Sequence, residues 1–305
     1  MTTAKTDSSR RKLALVIGNK NYKRQENRLK HATNNARKLS DLLTTLHFEV
    51  TIHCNIEKNM MKIISDFADT INDDDMVLFY YSGNCRQIRG ENYLIPTDDE
   101  KIERDLDIED IGASVQNVLK RLTDKNESCA TIFILDCCKQ YLLKKESVSN
   151  PQDKGLKAMS PPDETFIQFA CAASETSSQN LFTKHLLRNI RQENVPITEI
   201  FQQIVYDVSQ QSHGMQNPLT MNGLRQHHQL YLNEMSDKAL INDCNKRIDE
   251  LKLELQHLTL EVPHNGDCYD RDFTRRMEKI EALIHKLKLK RNEVIVKRYS
   301  AHPIE

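Results

Sequence analysis

The sequence predicts an α/β fold: a mostly parallel six-stranded sheet with helices on both faces, followed by an antiparallel helical hairpin. Three observations support this prediction. Short runs of apolar residues alternate with longer stretches that place apolar residues every three or four positions. Such alternation requires crossover connections, and these connections favour a parallel sheet covered by helices. From about residue 235 onward the spacing changes to a heptad pattern.

The strand candidates are short apolar runs. In chain order they are Leu13–Ile17, Phe48–His53, Val77–Tyr81, Thr131–Leu135, Phe166–Ala170 and a short closing strand at Gln229–Leu232. Amphipathic stretches predict five helices between and after them: Ala32–Leu46, Lys58–Ile71, Ile111–Leu122, Leu181–Ile190 and Ile197–Val208. Lys144–Glu164 breaks the rhythm, because it is polar and contains three prolines, which is typical of an exposed loop or linker.

The end of the chain contains two heptad seams. The first consists of Ile241, Cys244, Ile248, Leu251, Leu255, Leu258 and Val262, and the second of Phe273, Met277, Ile280, Ile284, Leu287 and Val294. The loop between them is too short for parallel helices, so an antiparallel coiled-coil hairpin is predicted. Two interpretations remain open: the hairpin folds onto itself, or it is an arm that contacts a partner or a second copy of the chain.

These patterns divide the chain into a disordered tail at residues 1–10, an α/β domain at 11–233 and the hairpin at 234–305. The tail is polar and lacks the apolar core of a signal peptide. Positive and negative charges nearly cancel, with 43 Lys and Arg against 44 Asp and Glu, which gives no reason to expect nucleic acid or an anionic membrane as a partner. No run of 18 apolar residues predicts a membrane span.

The eight cysteines are scattered, and none forms a CxxC pair. This usage argues against a disulfide scaffold and against a zinc site. We therefore expect a reducing, cytoplasmic location, and neither a cofactor nor a metal ion.

Unusual residues follow two of the predicted strands. One strand ends in Ser82-Gly83-Asn84-Cys85, and another runs into Asp136-Cys137-Cys138. Ligands bind beyond the carboxyl ends of strands in an open parallel sheet, and neighbouring strands lie only about 4.8 Å apart. If these two strands are neighbours, their terminal residues share one crevice, where a cysteine opposite a base can serve as a nucleophile.

Several motifs occur in a characteristic order. They are Arg11–Asn21 (RKLALVIGNKN), Asn92–Pro96 (NYLIP), Ile134–Cys138 (ILDCC), Phe169–Ser174 (FACAAS), Phe182–Leu187 (FTKHLL) and the Gln216–Pro218 turn. This set, covering Arg11 to Leu232, resembles the caspase-like cysteine peptidases and is most similar to the paracaspase type. The resemblance implies a caspase-like fold with a large-subunit-like half at 11–143, a linker loop at 144–164 and a small-subunit-like half at 165–233.

The resemblance also implies roles for individual residues. Cys138 aligns with the nucleophile, and Gly83 with the glycine that lines the oxyanion hole together with the backbone N–H of Cys138. Asp136 aligns with an acid of the pocket for a basic substrate side chain, and Glu175 is a candidate for a further acid. The family dimerises through an edge strand of its small-subunit half, so the resemblance implies a homodimer through that strand. The 234–305 hairpin lies outside the resemblance, and the heptad seams alone make it a candidate for a second contact with a partner or another copy.

The departures from the family pattern concern the same site. The catalytic histidine falls on Asn84, the following glycine falls on Cys85, and Asn35 stands where the paracaspase pattern has aspartate. An amide has no usable basicity at neutral pH, and losing one member of a nucleophile–base pair removes on the order of 10⁴–10⁶ of catalysis in serine proteases. Asn35 removes one negative charge from the pocket and weakens a preference for Arg or Lys.

Two functions from different classes follow. The first is a caspase-like domain that is impaired as a peptidase and acts as an interaction or dimerisation module. The alternative is an active cysteine endopeptidase that uses Cys138 and cleaves after a basic residue. A nucleotide site at Gly18–Asn21 is discounted, because the turn lacks a glycine-rich cradle for phosphate.

Cys85 and the histidines leave smaller questions open. Cys85 is interpreted either as a small side chain in place of glycine or as a disulfide partner of Cys138, within the Cα separation that such a bond needs. His31 and His213 are interpreted as surface or capping residues rather than as replacements for the missing base.

Overall fold

The computed structural model of the chain describes residues 10–124, 130–137, 141–143, 156–171, 180–225, 230–234, 237–260 and 271–301. The chain forms two compact units that divide between Asn233 and Glu234. None of the described helices is long and apolar enough to cross a membrane.

The first unit contains a six-stranded sheet with the strand order β2-β1-β3-β7-β8-β9. Five strands are parallel, and β9 pairs antiparallel to β8 at one edge. The bounds are β1 (Lys12–Gly18), β2 (Glu49–Cys54), β3 (Met76–Ser82), β7 (Thr131–Asp136), β8 (Thr165–Phe169) and β9 (Leu219–Asn222). The predicted fold class is therefore confirmed.

The predicted closing strand at Gln229–Leu232 is wrong. The sixth strand lies earlier, at Leu219–Asn222, whereas Tyr231 forms only an isolated bridge with Pro196, and Gln229 falls outside the described residues. In β9 the half-buried Leu219 and Met221 alternate with exposed Thr220 and Asn222, as the period of a strand with one covered face requires. Four residues with only two apolar members are too short a pattern to be recognised in the sequence.

Helices cover both faces of the sheet, as predicted. Their bounds are α1 (Ala32–Thr45), α2 (Met60–Ala68), α3 (Asp105–Ile111), α4 (Val115–Thr123), α5 (Leu181–Asn189) and α6 (Ile197–Gln211). Buried residues of α1, α5 and α6 belong to the core on one face, and those of α2 and α4 to the core on the other. The side chains of the central strands alternate between these two cores, and Phe79 stacks on Phe133 with ring centroids 4.7 Å apart.

A second, three-stranded sheet was not expected. It consists of β4 (Cys85–Ile88), β5 (Glu91–Leu94) and β6 (Ala113–Ser114), paired in that order. Arg89 and Gly90 connect β4 to β5 with positive φ values of 49° and 84°, which is typical of a tight hairpin turn. This small sheet follows directly after the Ser82–Cys85 turn, so it fixes the direction in which the chain leaves β3.

The loop predicted at Lys144–Glu164 is described from residue 156 onward. That part has no regular secondary structure, but Leu156 and Met159 are buried in the core. The side chain of Asn92 also pairs with the backbone of Lys157 through two hydrogen bonds of 2.8 Å. This end of the loop is therefore packed against the domain rather than exposed.

The second unit consists of α7 (Asp237–Leu260) and α8 (Arg271–Ala301). Apolar side chains of the two helices form one buried cluster that contains Ile248, Leu251, Leu258, Ile280 and Ile284. In the first half of α7, Asn245 accepts a hydrogen bond of 3.0 Å from Arg291 in the second half of α8, as expected for antiparallel helices. These contacts form a helical hairpin, and its coiled-coil geometry stays a prediction.

Candidate active site

Three neighbouring strands end side by side at the carboxyl edge of the sheet. The register pairs Gly18 of β1 with Ser82 of β3, and Ser82 with Asp136 of β7. The two unusual strand ends are therefore adjacent, as the sequence pattern requires for a shared crevice. Ser82 also accepts a backbone hydrogen bond of 2.8 Å from Asn19, which holds the turn after β1 against the same edge.

Gly18 allows the first turn of α1 to approach this edge. A Cβ atom at Gly18 would lie 2.6 Å from the Cβ of Ala36 and 2.7 Å from the carbonyl oxygen of Ala32, which leaves no space for a side chain. Asn35 lies in the same helical turn and is buried. The fold thus brings Asn35 to the carboxyl edge of the sheet, where its amide supplies no charge.

Gly83 lies over the ring of Tyr81. A Cβ at this position would come within 2.6 Å of the ring carbon Cζ, so only glycine fits. The Tyr81 hydroxyl lies 3.1 Å from the carbonyl oxygen of Asn84 and 3.0 Å from that of Ile95. Burial raises the pKa of Tyr81 above the ordinary value, so the phenol stays protonated and acts as a donor. The buried Tyr81 side chain therefore packs against the turn that contains the predicted oxyanion-hole glycine and holds it in place.

Asn84 is fully buried and is held by three contacts besides the one from the Tyr81 hydroxyl. Its backbone N–H donates to the Tyr22 hydroxyl at 2.8 Å, its Nδ2 donates to the carbonyl oxygen of Asn27 at 2.7 Å, and its carbonyl oxygen accepts from the backbone N–H of Ile95 at 3.1 Å. The Oδ1 atom is buried and has no hydrogen-bond partner among the described residues. The amide is therefore oriented by its donor, and the acceptor end remains unused.

Three hydroxyl groups, two from β3 and one from α5, surround the carboxyl group of Asp136. Its Oδ2 lies 2.7 Å from Thr183 Oγ1, 3.0 Å from Tyr80 Oη and 3.3 Å from Ser82 Oγ. Burial and the neighbouring carboxyl group both raise the pKa of Tyr80, which keeps this phenol neutral and able to donate. The acid predicted for the specificity pocket is thus fixed in orientation at the end of β7.

The two buried tyrosines of β3 make a matched pair for mutation. We expect Tyr80→Phe to lower the free energy of unfolding by about 1.5–3 kcal/mol, because a donor to a carboxylate is lost. Tyr81→Phe is expected to cost only about 0.5–1.5 kcal/mol, because its acceptors are neutral carbonyls that keep other donors, from Ile95 and Tyr22. Urea unfolding of both variants measures the difference, and equal losses would contradict the proposed anchoring of Asp136.

Cys85 forms a disulfide with Cys137, and their Cα atoms lie 5.9 Å apart. The hypothesis that Cys85 pairs with Cys138 is therefore corrected by one position, and the interpretation of Cys85 as a mere replacement for glycine is wrong. The physical reason is the side-chain alternation along β7, which directs Cys137 to the same face of the sheet as Cys85 and Tyr81. Cys138 and Glu175 lie outside the described residues, and their roles stay predictions.

Within the described residues, neither His31 nor His185 forms a side-chain hydrogen bond with Asn84. His31 precedes α1 without a capping side-chain bond, and His185 of α5 contacts Gln211 at 2.8 Å and Asp207 at 3.3 Å. In the parts of the chain that the structure describes, no group of three or more His, Cys, Asp or Glu side chains could hold a metal ion.

Three residues of the site were missed in the sequence. Tyr22 and Asn27 hold Asn84, and Tyr141 donates its backbone N–H to the carbonyl oxygen of Cys85 at 3.1 Å. Tyr22 and Asn27 lie in the irregular segment after β1, which has no periodicity to interpret. One feature of the sequence could have indicated Tyr141 as a residue of the site: it is a large aromatic residue three positions after Cys138.

Comparisons with known proteins agree with this geometry. The sequence profile of the caspase domain, from the C14 peptidases, matches residues 11–231. No curated protein matches the chain. A solved structure described as pro-sf-caspase-1 is similar with a TM-score of 0.53 and 16% sequence identity, and the alignment covers 74% of this chain and 92% of that one. At this identity the likeness to that structure shows the fold alone.

Proposed function

The chain belongs to the caspase domain family of the C14 peptidases. Within this family, we propose that its α/β domain is impaired in peptide hydrolysis and acts as an interaction module. We place the domain nearest the paracaspase type, because of the Ser82-Gly83 turn and the Leu-Asp-Cys-Cys sequence at the end of β7. The proposed roles are nucleophile position for Cys138, oxyanion hole for Gly83 and substrate pocket for Asp136, Asn35 and Glu175.

The proposal rests on the burial and the hydrogen bonding of the Asn84 side chain. Its amide donates to the carbonyl oxygen of Asn27 and is fully buried, so the side chain has a structural role at the position where the family has its base. A thiol must lose its proton before it attacks a carbonyl carbon, and an amide nitrogen does not accept that proton. Cys138 would therefore lack general-base assistance from this turn.

The rest of the site supports retained binding of peptides. Gly83 has no side chain that could clash with the Tyr81 ring. The carboxyl group of Asp136 is oriented by three hydroxyl groups. A fixed carboxylate at the end of β7 suits a basic side chain of a peptide. The oriented carboxylate of Asp136 also favours the alternative function, an active endopeptidase that cleaves after a basic residue. In that alternative, Cys138 is activated by a group other than Asn84.

Hydrolysis of a peptide panel tests the proposal. The unmodified protein is incubated with peptide amides that end in Arg, Lys or Asp, and release of the leaving group is followed. We expect no release above that of Cys138→Ala with any peptide. Release from the Arg or Lys amide that disappears in Cys138→Ala would instead establish the alternative.

We also propose that the domain self-associates through β9. This strand is the outer strand of the described sheet on the β8 side, and a groove of about 580 Å³ runs between it and α6. Val205, Tyr206, Pro218 and Thr220 line the groove, and Tyr206 is 61% exposed. An edge strand beside an exposed aromatic residue suits antiparallel pairing with a second copy. On the hairpin, Leu253 and Leu283 are also exposed, which suits a contact made by that arm.

The variant Tyr206→Glu is expected to weaken self-association at least about tenfold, because it places a charge in the centre of the contact. The matched control is Leu106→Glu, which changes an exposed apolar residue of α3 outside the groove. Sedimentation of both variants, with a chain ending at Asn233 to measure the share of the hairpin, provides the test. A monomeric unmodified protein at all concentrations would contradict this part of the proposal.

A further inference from the structure

We propose that α8 binds the anionic phospholipids of a membrane surface through a row of basic side chains. Arg275, Lys279, Lys286 and Lys290 form this basic row. The contact is peripheral, because it uses one side of a helix at the lipid headgroups and no segment that crosses the bilayer. The row lies on the helical hairpin, so it does not depend on the function proposed for the α/β domain.

Charge is distributed unevenly along the chain. Over the whole sequence, 43 Lys and Arg nearly balance 44 Asp and Glu, which is why no anionic partner was expected. Residues 239–259 of α7 are also balanced, with three Lys and Arg against four Asp and Glu, whereas residues 273–296 of α8 contain seven Lys and Arg against three Glu. Electrostatic attraction is screened beyond about 10 Å, so the local excess decides the attraction rather than the net charge.

The basic row occupies one side of α8. Its members are four, seven and four positions apart, which places them within an arc of about 60° and over a length of about 22 Å along the helix axis. All four side chains are exposed. Ile280 and Ile284, which belong to the buried cluster of the hairpin, lie about 110–150° around the axis from the centre of the row. Packing against α7 therefore leaves the row at the surface.

The charges of the basic row are not neutralised within the hairpin. Among the described residues, none of the four side chains forms an ion pair. On α7, in contrast, Arg247 pairs with Glu250 at 2.7 Å, and Lys252 pairs with Asp249 at 3.1 Å. The row is thus a surface of four like charges that an external anionic surface complements.

Exposed apolar side chains beside the basic row favour a membrane over a nucleic acid. Leu289 and Val296 are 51% and 62% exposed and lie one heptad apart, about 60–80° around the axis from Lys286. A phosphate backbone offers no apolar partner for such residues, whereas the boundary between headgroups and acyl chains does. Long lysine side chains can reach the headgroups while apolar neighbours enter this boundary.

Binding to vesicles tests the surface in the full-length protein. Vesicles of phosphatidylcholine with about 30% phosphatidylserine are expected to bind the protein at least about tenfold more tightly than vesicles of phosphatidylcholine alone, because each basic residue of the row gains from the anionic lipid. An increase of the salt concentration from about 0.1 M to about 0.5 M should weaken the binding, since salt screens this attraction. Sedimentation of the vesicles measures both effects.

A pair of double variants locates the contact. Lys279→Glu with Lys286→Glu reverses two charges of the row and is expected to weaken binding to the phosphatidylserine vesicles at least about tenfold. Lys246→Glu with Lys288→Glu makes the same change in net charge on the same hairpin but outside the row, and it should alter binding by less than about threefold. Circular dichroism of both variants should match that of the unmodified protein.

The variant Leu289→Asn separates a lipid contact from a contact with phosphate groups alone. We expect it to weaken vesicle binding about threefold or more, because an apolar side chain no longer enters the lipid boundary. Equal binding to both kinds of vesicle, or equal losses in the two double variants, would overturn the proposal. Binding of the row to duplex DNA without binding to the phosphatidylserine vesicles would also overturn it. No readout involves hydrolysis, so an error in the proposed function leaves these tests intact.

Discussion

The variant Asn84→His is expected to hydrolyse a peptidyl-arginine amide at least about 100-fold faster than the unmodified protein, within the range that general bases contribute. Asn84 Nδ2 donates to the carbonyl oxygen of Asn27 at 2.7 Å. The Nδ1–H of a histidine can donate to the same carbonyl, which orients the ring and leaves Nε2 free to accept a proton. The contact that now holds an amide would then hold a base.

Two further variants make this result specific. Asn84→Gln keeps an amide but adds no basicity, so it should show no gain in rate. The double variant Asn84→His with Cys138→Ala should lose the gain, because the new base has no thiol to activate. If Asn84→His folds, as its circular dichroism would show, and yet hydrolyses no peptide, then the remaining parts of the site are not intact.

The second large effect concerns stability. Opening the Cys85–Cys137 bond is expected to lower the free energy of unfolding by about 4 kcal/mol, because the bond closes a loop with a sequence separation of 52 residues. The loss arises mainly in the unfolded chain, which gains conformational freedom when the crosslink is absent. Because the chain contains no Trp and nine Tyr, urea unfolding can be followed by tyrosine fluorescence.

A matched set of proteins isolates the contribution of the bond. Cys85→Ser in buffer without reductant should show the full loss, and dithiothreitol should destabilise the unmodified protein but not this variant. Cys54→Ser, which removes a cysteine outside the bond, should change stability by less than about 0.5 kcal/mol. A loss of similar size in Cys54→Ser would mean that the effect is not due to the crosslink.

The sequence was sufficient for the features that depend on local pattern. The apolar runs at β1, β3, β7 and β8 are long and buried on both faces, which is why their positions were predictable. The sequence predicted that the strand ends at Ser82 and Asp136 share a crevice only if the two strands are neighbours, and the pairing of β3 with β7 meets this condition. The motif order then identified the family, which the caspase-domain profile confirms.

The features that were missed depend on contacts between distant residues. Asn27 and Asn84 are separated by 57 positions, and no local property of either residue predicts their hydrogen bond. The strands β4, β5 and β9 have only four residues each, which is too few for a clear period. For Cys85, the choice between Cys137 and Cys138 is a difference of one residue, which the side-chain alternation along β7 decides.

The central proposal is that the domain lacks a base for its nucleophile. The most direct measurement is the initial rate of hydrolysis of a peptidyl-arginine amide by the unmodified protein, compared with Cys138→Ala at equal concentration. We expect the two rates to be equal within error, because Asn84 cannot take the proton from the thiol. A rate in the unmodified protein that is clearly higher, and that is lost in Cys138→Ala, would contradict the proposal.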